Sequence, residues 1–458
     1  MTAARSRQLP PDSAARATLH DEVHARPVAR IRIPALVTHI AVLNRGIPVE
    51  REHEHLRALV EAQGARMAMH EPGFVRVRLE TFTVKWERHG EFSRYSITQP
   101  LDQAAIWGAD DPDLVGLIAA PADWMAAIPG ETISALQVVL LRSAGENDEH
   151  ASAMAQSLLG GGRIAGSAVK DGSARLYTNY LLRADGYSRF VLLCDEVTEG
   201  RSGRMTASLV EMETYRMMAL MAFPLARALG VRLALLEARL AELTRAIDEA
   251  THEDAYLLNQ LMQVAAEVET EIAAHSARFS ASTAYYGIVQ QRIDDLREAS
   301  VPGVTGVFTF LQRRLVPAMA TVEAAGKRLA ALSERTSRAS DLLRTRVDIT
   351  TESQNQELLK SLGRGQRLQL RLQETVEGLS IAAISYYLVG LLGYAGKAAK
   401  ASGVPPPPAS AWRRFASRPG ALFGFSPTRS ISATSASMAA LRTAASSIAG
   451  CSTRPSRN

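Results

Sequence analysis

The chain has 458 residues, of which 47% are hydrophobic and 22% are charged, so it is long enough for two or three domains with cores of their own. Its 2 cysteines exclude a disulfide scaffold and a cysteine-rich zinc module, and they indicate a reducing compartment. The net charge of +5 is unevenly distributed, because the residues from Gly378 onward include lysines and arginines but no Asp or Glu. An acidic body with a basic end is not typical of a nucleic-acid-binding protein, so nucleic acid is not expected as a partner.

The N-terminal residues 1–18 are predicted to be disordered. The first thirty residues contain Arg5, Arg7, Asp12 and Arg16, and they lack an apolar run of the length of a secretory signal. We therefore expect the N-terminal body of the protein to lie in the cytoplasm.

Residues 19–200 are predicted to form an α+β domain. Residues 30–43 are rich in Ile and Val and predict a strand interrupted by Pro34, and residues 48–63 have the apolar stripe of an amphipathic helix. Further strands are predicted at residues 82–86, 92–98, 163–169, 174–182 and 187–193, with turns at Gly90, Gly172 and Gly186. Because tight hairpins join antiparallel neighbours, the sheet should be mostly antiparallel, with helices packed on it.

Residues 201–377 are predicted to be a long-helix, coiled-coil-like stalk. Apolar residues recur at intervals of three and four over residues 229–247 and again over residues 257–296, which is the heptad pattern of a coiled coil. A break at residues 250–253 separates the two patterns and predicts an antiparallel helical hairpin. Because both patterns are long and regular, we expect the stalk to associate with other copies into a homo-oligomer.

A third helix is predicted to begin near Gly306, with a kink at Pro317, and to continue without a strong breaker into an apolar segment at residues 378–396. That segment has no charged residue and would span about 28 Å as a helix, close to the thickness of a bilayer core. Three arginines precede it, Arg364, Arg367 and Arg371, which suits a cytoplasmic flank. The segment is therefore interpreted as one C-terminal transmembrane helix; the alternative is a buried core helix.

The last stretch, residues 397–458, is basic and rich in Ser, Arg and Pro, and it is predicted to be disordered. The same bias also resembles GC-rich coding sequence translated out of frame.

The best candidate for metal chemistry is a pair of histidines, His20 and His24. Their i, i+4 spacing can bind a divalent metal on a helix, but the sequence supplies no third ligand, and a hydrogen-bonded structural segment is the favoured alternative. Another pair, His53 and His55, falls on different faces of the helix at residues 48–63, which favours a solvated face. The sequence therefore assigns no catalytic, cofactor-binding or metal-binding residue.

Two other motifs also have structural explanations. Gly160, Gly161 and Gly162 resemble a phosphate loop, but the nucleotide-binding lysine of such loops is missing and a helix precedes the glycines, so a helix-to-strand turn is favoured. Glu211, Glu213 and Arg216 lie within reach of one another on the first long helix and are interpreted as ion pairs within the stalk.

Three stretches resemble a known family. Residues 19–27, residues 211–220 and residues 369–387 resemble, in order, the signature motifs of the bacterial uncharacterised membrane-anchored protein family, also called domain of unknown function 3422. The resemblance implies a membrane-anchored architecture and no established activity. It also implies a second apolar segment, and this chain departs from it there, because Arg442 interrupts the best candidate. More distantly, the architecture resembles CorA-type magnesium channels, although their Gly-Met-Asn loop is absent.

The sequence thus predicts a non-enzymatic, membrane-anchored protein without a cofactor, placed in the cell inner membrane with its N-terminal domain in the cytoplasm. Its expected partners are the lipid bilayer and other copies of itself. The alternative is a CorA-like protein that transports divalent cations. A metal-dependent enzyme that uses His20 and His24 is the third and least favoured class.

Overall fold

The computed structural model describes residues 12–16, 19, 29–66, 73–250 and 252–403. These residues belong to two compact units, divided between Thr351 and Glu352. The predicted disorder of residues 1–18 falls mostly outside the described residues, and so does most of the predicted tail at residues 397–458.

The first unit contains a nine-stranded sheet in the order β2-β3-β4-β1-β5-β8-β7-β6-β9. The strands are β1 Ala35–Leu43, β2 Phe74–Arg78, β3 Thr83–Arg88, β4 Phe92–Pro100, β5 Glu131–Arg142, β6 Ala165–Val169, β7 Ala174–Thr178, β8 Ser188–Cys194 and β9 Ala299–Ser300. Strands β5 and β8 pair in parallel, and the other neighbours pair antiparallel. The prediction of a mostly antiparallel sheet is therefore confirmed.

Eight helices are described. They are α1 Val49–Ala62, α2 Gln103–Ile106, α3 Ala122–Ala126, α4 Asp148–Leu158, α5 Glu199–Leu220, α6 Ala222–Asp248, α7 Asp254–Leu296 and α8 Val307–Ala401. The predicted break at residues 250–253 matches the end of α6 and the start of α7. Helix α5 begins earlier than the sequence indicated, so the predicted boundary between residues 200 and 201 lies inside it.

Helices cover both faces of the sheet in the first unit. Successive side chains of a strand point to opposite faces, so one strand can contribute to the packing on both sides. In β1, Ala35 and Val37 belong to a buried apolar cluster that also contains side chains of α5, α6, α7 and the first part of α8. On the opposite face, Ile40 packs in a cluster with α1, and Leu36 packs in a cluster with α4. The sheet and the long helices therefore share one core.

The heptad residues of α6 and α7 are buried within a single chain. They are Leu229, Leu233, Leu236 and Leu240 of α6 and Leu257, Leu261, Val264 and Val268 of α7. All of them belong to the cluster that covers one face of the sheet. Their regular spacing is thus explained by packing inside one chain.

Helix α8 runs from Val307 to Ala401 and includes Pro317. Its residues up to Leu343 contribute to the core of the first unit. In the second unit, almost every described side chain from Glu352 to Leu391 is exposed. The long C-terminal helix that the sequence predicted is therefore confirmed.

Candidate functional site

The histidine pairs of the sequence do not form a metal site in the described residues. His20 and His24 lie outside them. The expectation of a solvated face at His53 and His55 is wrong: His53 is buried against the ring of Trp86, with centroids 4.9 Å apart, and His55 stacks on Trp124 at 4.6 Å. Burial lowers the pKa of both imidazoles. Among the described residues, no three His, Cys, Asp or Glu side chains are grouped so that they could hold a metal ion.

The glycines at residues 160–162 form a turn between α4 and β6, as predicted, and each has a positive φ. Gly160 is also crowded, because a Cβ there would lie 2.9 Å from Arg183 Nη1. The loop therefore requires glycine for its backbone conformation, which is reason enough for its composition.

Glu211 of α5 is the centre of a charge network between the helices and the sheet. Its Oε2 accepts a hydrogen bond from Arg292 Nε of α7 at 2.6 Å, and its Oε1 lies 3.5 Å from Arg94 Nη1 of β4. Arg94 Nη2 is 2.9 Å from Glu87 Oε2, and Lys85 Nζ is 3.0 Å from Glu87 Oε1. The interpretation of Glu211 as part of a pair confined to the stalk is thus incomplete, because one of its partners lies on the sheet.

His39 of β1 lies beside this network and is fully buried. Its Nδ1 is 2.8 Å from Ser96 Oγ, and its Nε2 is 3.0 Å from Thr214 Oγ1. The Thr214 hydroxyl donates to the Val210 carbonyl at 2.8 Å, so it can only accept from Nε2–H, which assigns the neutral Nε2–H tautomer. Burial, together with the positive charges of Arg94 and Lys85, holds the pKa of His39 well below 6.5.

Two further residues of the same motif, Glu213 and Arg216, form the ion pair that the sequence predicted. Arg216 Nε donates to Glu213 Oε2 at 2.9 Å, and Arg216 Nη2 donates to Glu213 Oε1. Burial opposes the charge of the guanidinium, but the attraction and hydrogen bonds of Glu213 outweigh it and raise the pKa of Arg216. Arg216 therefore stays charged beside the buried Glu213.

The Glu213–Arg216 pair lines a cavity of about 980 Å³ at the amino ends of β5 and β8. Most of the other lining side chains are apolar: Ile40, Val115, Ile118, Ala120, Ala122, Met125, Ala126, Ile128, Ile133, Ala135, Leu182 and Met217. An apolar pocket of this size with a few converging polar groups is the usual form of a small-molecule site. We refer to it below as the Arg216 cavity.

Tyr180 forms part of the wall of the Arg216 cavity in a strained conformation. Its φ is +53°, which is costly for a residue with a Cβ. Its ring stacks on Phe310 with centroids 5.5 Å apart, and its hydroxyl donates to the Val307 carbonyl at 3.4 Å. This turn ends β7 at Thr178, so the strand predicted at residues 174–182 is shorter than expected.

Two helical stretches are long and apolar enough to cross a membrane, Glu199–Asp248 and Val307–Ala395. The first covers α5 and α6, whose apolar residues contribute to the core around the sheet. The second contains the uncharged residues 378–395, whose described apolar side chains are exposed, including Leu379, Leu388 and Leu391. Both assignments rest on length and composition.

The fold and these features define a protein with an α/β domain, a mostly antiparallel sheet and a long C-terminal helix. Residues 11–416 match the model of the family described as "Protein of unknown function (DUF3422)", and the chain belongs to that family. The predicted family is therefore confirmed. Neither the curated proteins nor the solved structures include a match to this chain.

Proposed function

We propose that the protein is membrane-anchored and that residues 378–396 of α8 insert into the bilayer. The supporting observation is the exposure of this uncharged stretch: Leu379, Val389 and Leu391 each expose more than two thirds of their surface. Contiguous exposed apolar surface of this kind marks a contact with a membrane or a partner. A helix satisfies its own backbone hydrogen bonds, so it can cross the hydrocarbon layer.

The arginines that precede the segment support one orientation. Arg364, Arg367 and Arg371 lie within fifteen residues before it, and Lys397 and Lys400 follow it, so positive charge flanks both ends. With the three arginines as the cytoplasmic flank, the sheet-containing unit is expected in the cytoplasm at the inner membrane of a bacterial cell. The basic tail could instead bind anionic headgroups, and such binding would be screened by salt.

A wash experiment separates these two modes of attachment. The full chain, expressed in bacteria, should stay in the membrane pellet through high salt and alkaline carbonate, and truncation after Glu377 should release it. Replacing Leu388 and Leu391 by Asp costs roughly 2.5 to 3.5 kcal/mol for each on insertion scales and should also release it. The matched control, with both leucines replaced by Ala, should remain in the pellet. Release of the intact protein by salt alone would contradict the proposal.

We also propose that the protein self-associates through the part of α8 that precedes this segment. The heptad residues of α6 and α7 are already buried in one chain, so they are not free to bind a second copy. Leu358, Leu362, Leu372 and Val376 are exposed by 60% or more. Leu372 and Val376 lie two heptads after Leu358 and Leu362. Gly365 and Gln369 occupy the heptad positions between these two pairs. Exposed apolar residues at this spacing fit a parallel coiled coil with the same helix of another copy.

Disulfide cross-linking in membranes tests this pairing. Cys194 is buried and Cys451 can be replaced by Ser, so that each variant has one accessible cysteine. Leu372→Cys lies at one of these heptad positions and should form a cross-linked dimer, whereas Glu374→Cys lies on the opposite side of the helix and should not. Equal cross-linking of both variants, or of neither, would contradict a coiled coil in this register. Divalent-cation transport stays a prediction, with no observation in the described residues that favours it.

A further inference from the structure

The Arg216 cavity is lined by residues of the first unit, whereas residues 378–396 belong to the second. We propose that the cavity binds a single-chain amphiphile with a carboxylate head, such as a fatty acid, which pairs with Arg216 while its chain lies against the apolar wall.

The head group is inferred from the hydrogen bonds of Arg216. A guanidinium can bind one carboxylate through Nε and Nη2 and a second one through the edge formed by Nη1 and Nη2. Glu213 occupies the first edge with both of its oxygens. Among the described residues, the structure gives Nη1 no acceptor, and Arg216 lines the cavity. The second edge is therefore available to an oxygen acceptor from a ligand.

The charge of the head group is inferred from the two carboxylates at the cavity wall, which already have partners. Glu213 is buried and both of its oxygens accept from Arg216, so its charge is already paired. Asp185, the other acid at the wall, is paired with Arg183 and Arg189 at 3.5 Å each. Since both acids at the wall are paired and Arg216 keeps one edge of donors open, an anionic head is favoured over a cationic one.

The apolar chain is inferred from the wall. Side chains from four parts of the fold meet there: Ile40 of β1, Met125 of α3, Ile133 of β5 and Met217 of α5. The volume of about 980 Å³ lies at the upper end of the range for small-molecule sites, which leaves room for a long chain. Leu182 lines the cavity although its side chain is 78% exposed, so the apolar wall continues to the surface.

Photolabelling of the full chain in phosphatidylcholine vesicles tests the proposal, with a diazirine-bearing palmitate as the probe. Tandem mass spectrometry should locate the label in peptides that include residues 115–135 and 180–188. Ala126→Trp fills the cavity from an exposed position on α3 and should abolish that label. Ala127→Trp, its neighbour outside the cavity wall, should leave it unchanged.

Recognition of the carboxylate head is tested in two ways: by competing amphiphiles of opposite charge, and by a double variant that removes the charges of Glu213 and Arg216. Laurate should compete with the probe, and dodecyltrimethylammonium should not. Glu213→Gln combined with Arg216→Gln removes both charges without leaving one unpaired, and it should reduce labelling by about tenfold, the loss expected for a charge-assisted contact. Its fold is checked by thermal melting. Equal competition by the two amphiphiles, labelling confined to residues 378–396, or equal labelling of the two tryptophan variants would overturn the proposal.

Discussion

Gly203 of α5 lies directly against the carbonyl oxygen of Ala29, so closely that a Cβ at position 203 would be 1.7 Å from that oxygen. Ile31 N donates to the Glu199 carbonyl at 2.9 Å beside it, and Ser202 Oγ donates to the Ile31 carbonyl. The segment that leads into β1 is thus held on the first turns of α5. Glycine is required there because two backbones touch.

Replacing Gly203 by Ala should destabilise the protein. Helix propensity alone would favour alanine by about 1 kcal/mol, but the clash with Ala29 must separate the two backbones. Overpacking of this kind costs about 1–3 kcal/mol, so the steric effect should exceed the gain in propensity. The measurement is the free energy of unfolding in urea.

The matched control is Gly230→Ala in the interior of α6, where a Cβ would meet no atom within 4 Å. That substitution should stabilise the protein by about 0.5–1 kcal/mol. If both variants were stabilised alike, the close approach at Gly203 would not exist in solution.

Arg94 is the cation on which the network between sheet and helices depends. Arg94→Met should lower the free energy of unfolding by about 3 kcal/mol, because Glu87 and Glu211 lose a buried partner. Lys85 and Arg292 remain next to the two carboxylates and limit the loss. The control is Arg328→Met, which breaks an exposed pair with Glu237 and should cost about 1 kcal/mol or less. Similar losses in the two variants would show that Arg94 is not effectively buried.

Local patterns predicted much of this fold. Alternating apolar residues located β3 and β4 and the hairpin around Gly90, and intervals of three and four located α6 and α7. The same patterns do not show whether the apolar residues of a heptad repeat pack against helices of the same chain or against a second copy, because that depends on tertiary contacts. The heptads of α6 predict an oligomer seam for this reason, although Leu233 is buried against the chain's own core.

The buried polar site was harder to predict. Arg94 and His39 occupy inward positions of strands that are otherwise apolar or neutral. A charged or titratable side chain at such a position is the one feature of the local sequence that indicates a buried polar site here. Their partners Glu211 and Thr214 lie more than a hundred residues further along the chain. Sequence spacing cannot show that contact, whereas Glu213 and Arg216 were predicted to pair because they are one helical turn apart.

The neutral state of His39 should make the protein sensitive to acid. In the unfolded chain its pKa returns to about 6.5, so below that pH the unfolded state binds a proton that the folded state does not. Stability therefore falls as the pH decreases. His39→Gln should remove about 1.4 kcal/mol of the loss between pH 7.5 and pH 5.5, as measured by urea unfolding.

The control for this pH effect is His150→Gln, at an exposed position on α4. The difference between each variant and the original protein should change with pH only for His39. A constant difference across this range for His39→Gln would mean that His39 takes up its proton in the folded protein over the same pH range as in the unfolded chain. That result would contradict the neutral state assigned to the buried ring.

The last prediction distinguishes the heptad residues of α6, which are buried, from those of α8, which are exposed. Leu240 of α6 is 1% exposed and packs inside one chain, whereas Leu372 of α8 is exposed. Leu240→Ala should lower the free energy of unfolding by about 2–5 kcal/mol because it leaves a cavity, and it should leave the cross-linking of Leu372→Cys unchanged. Leu235→Ala, on the exposed side of α6, is the matched control and should change stability by about 0.5 kcal/mol or less. If Leu240→Ala reduced cross-linking while the unfolding energy stayed constant, the seam of α6 would join two copies rather than the helices of one.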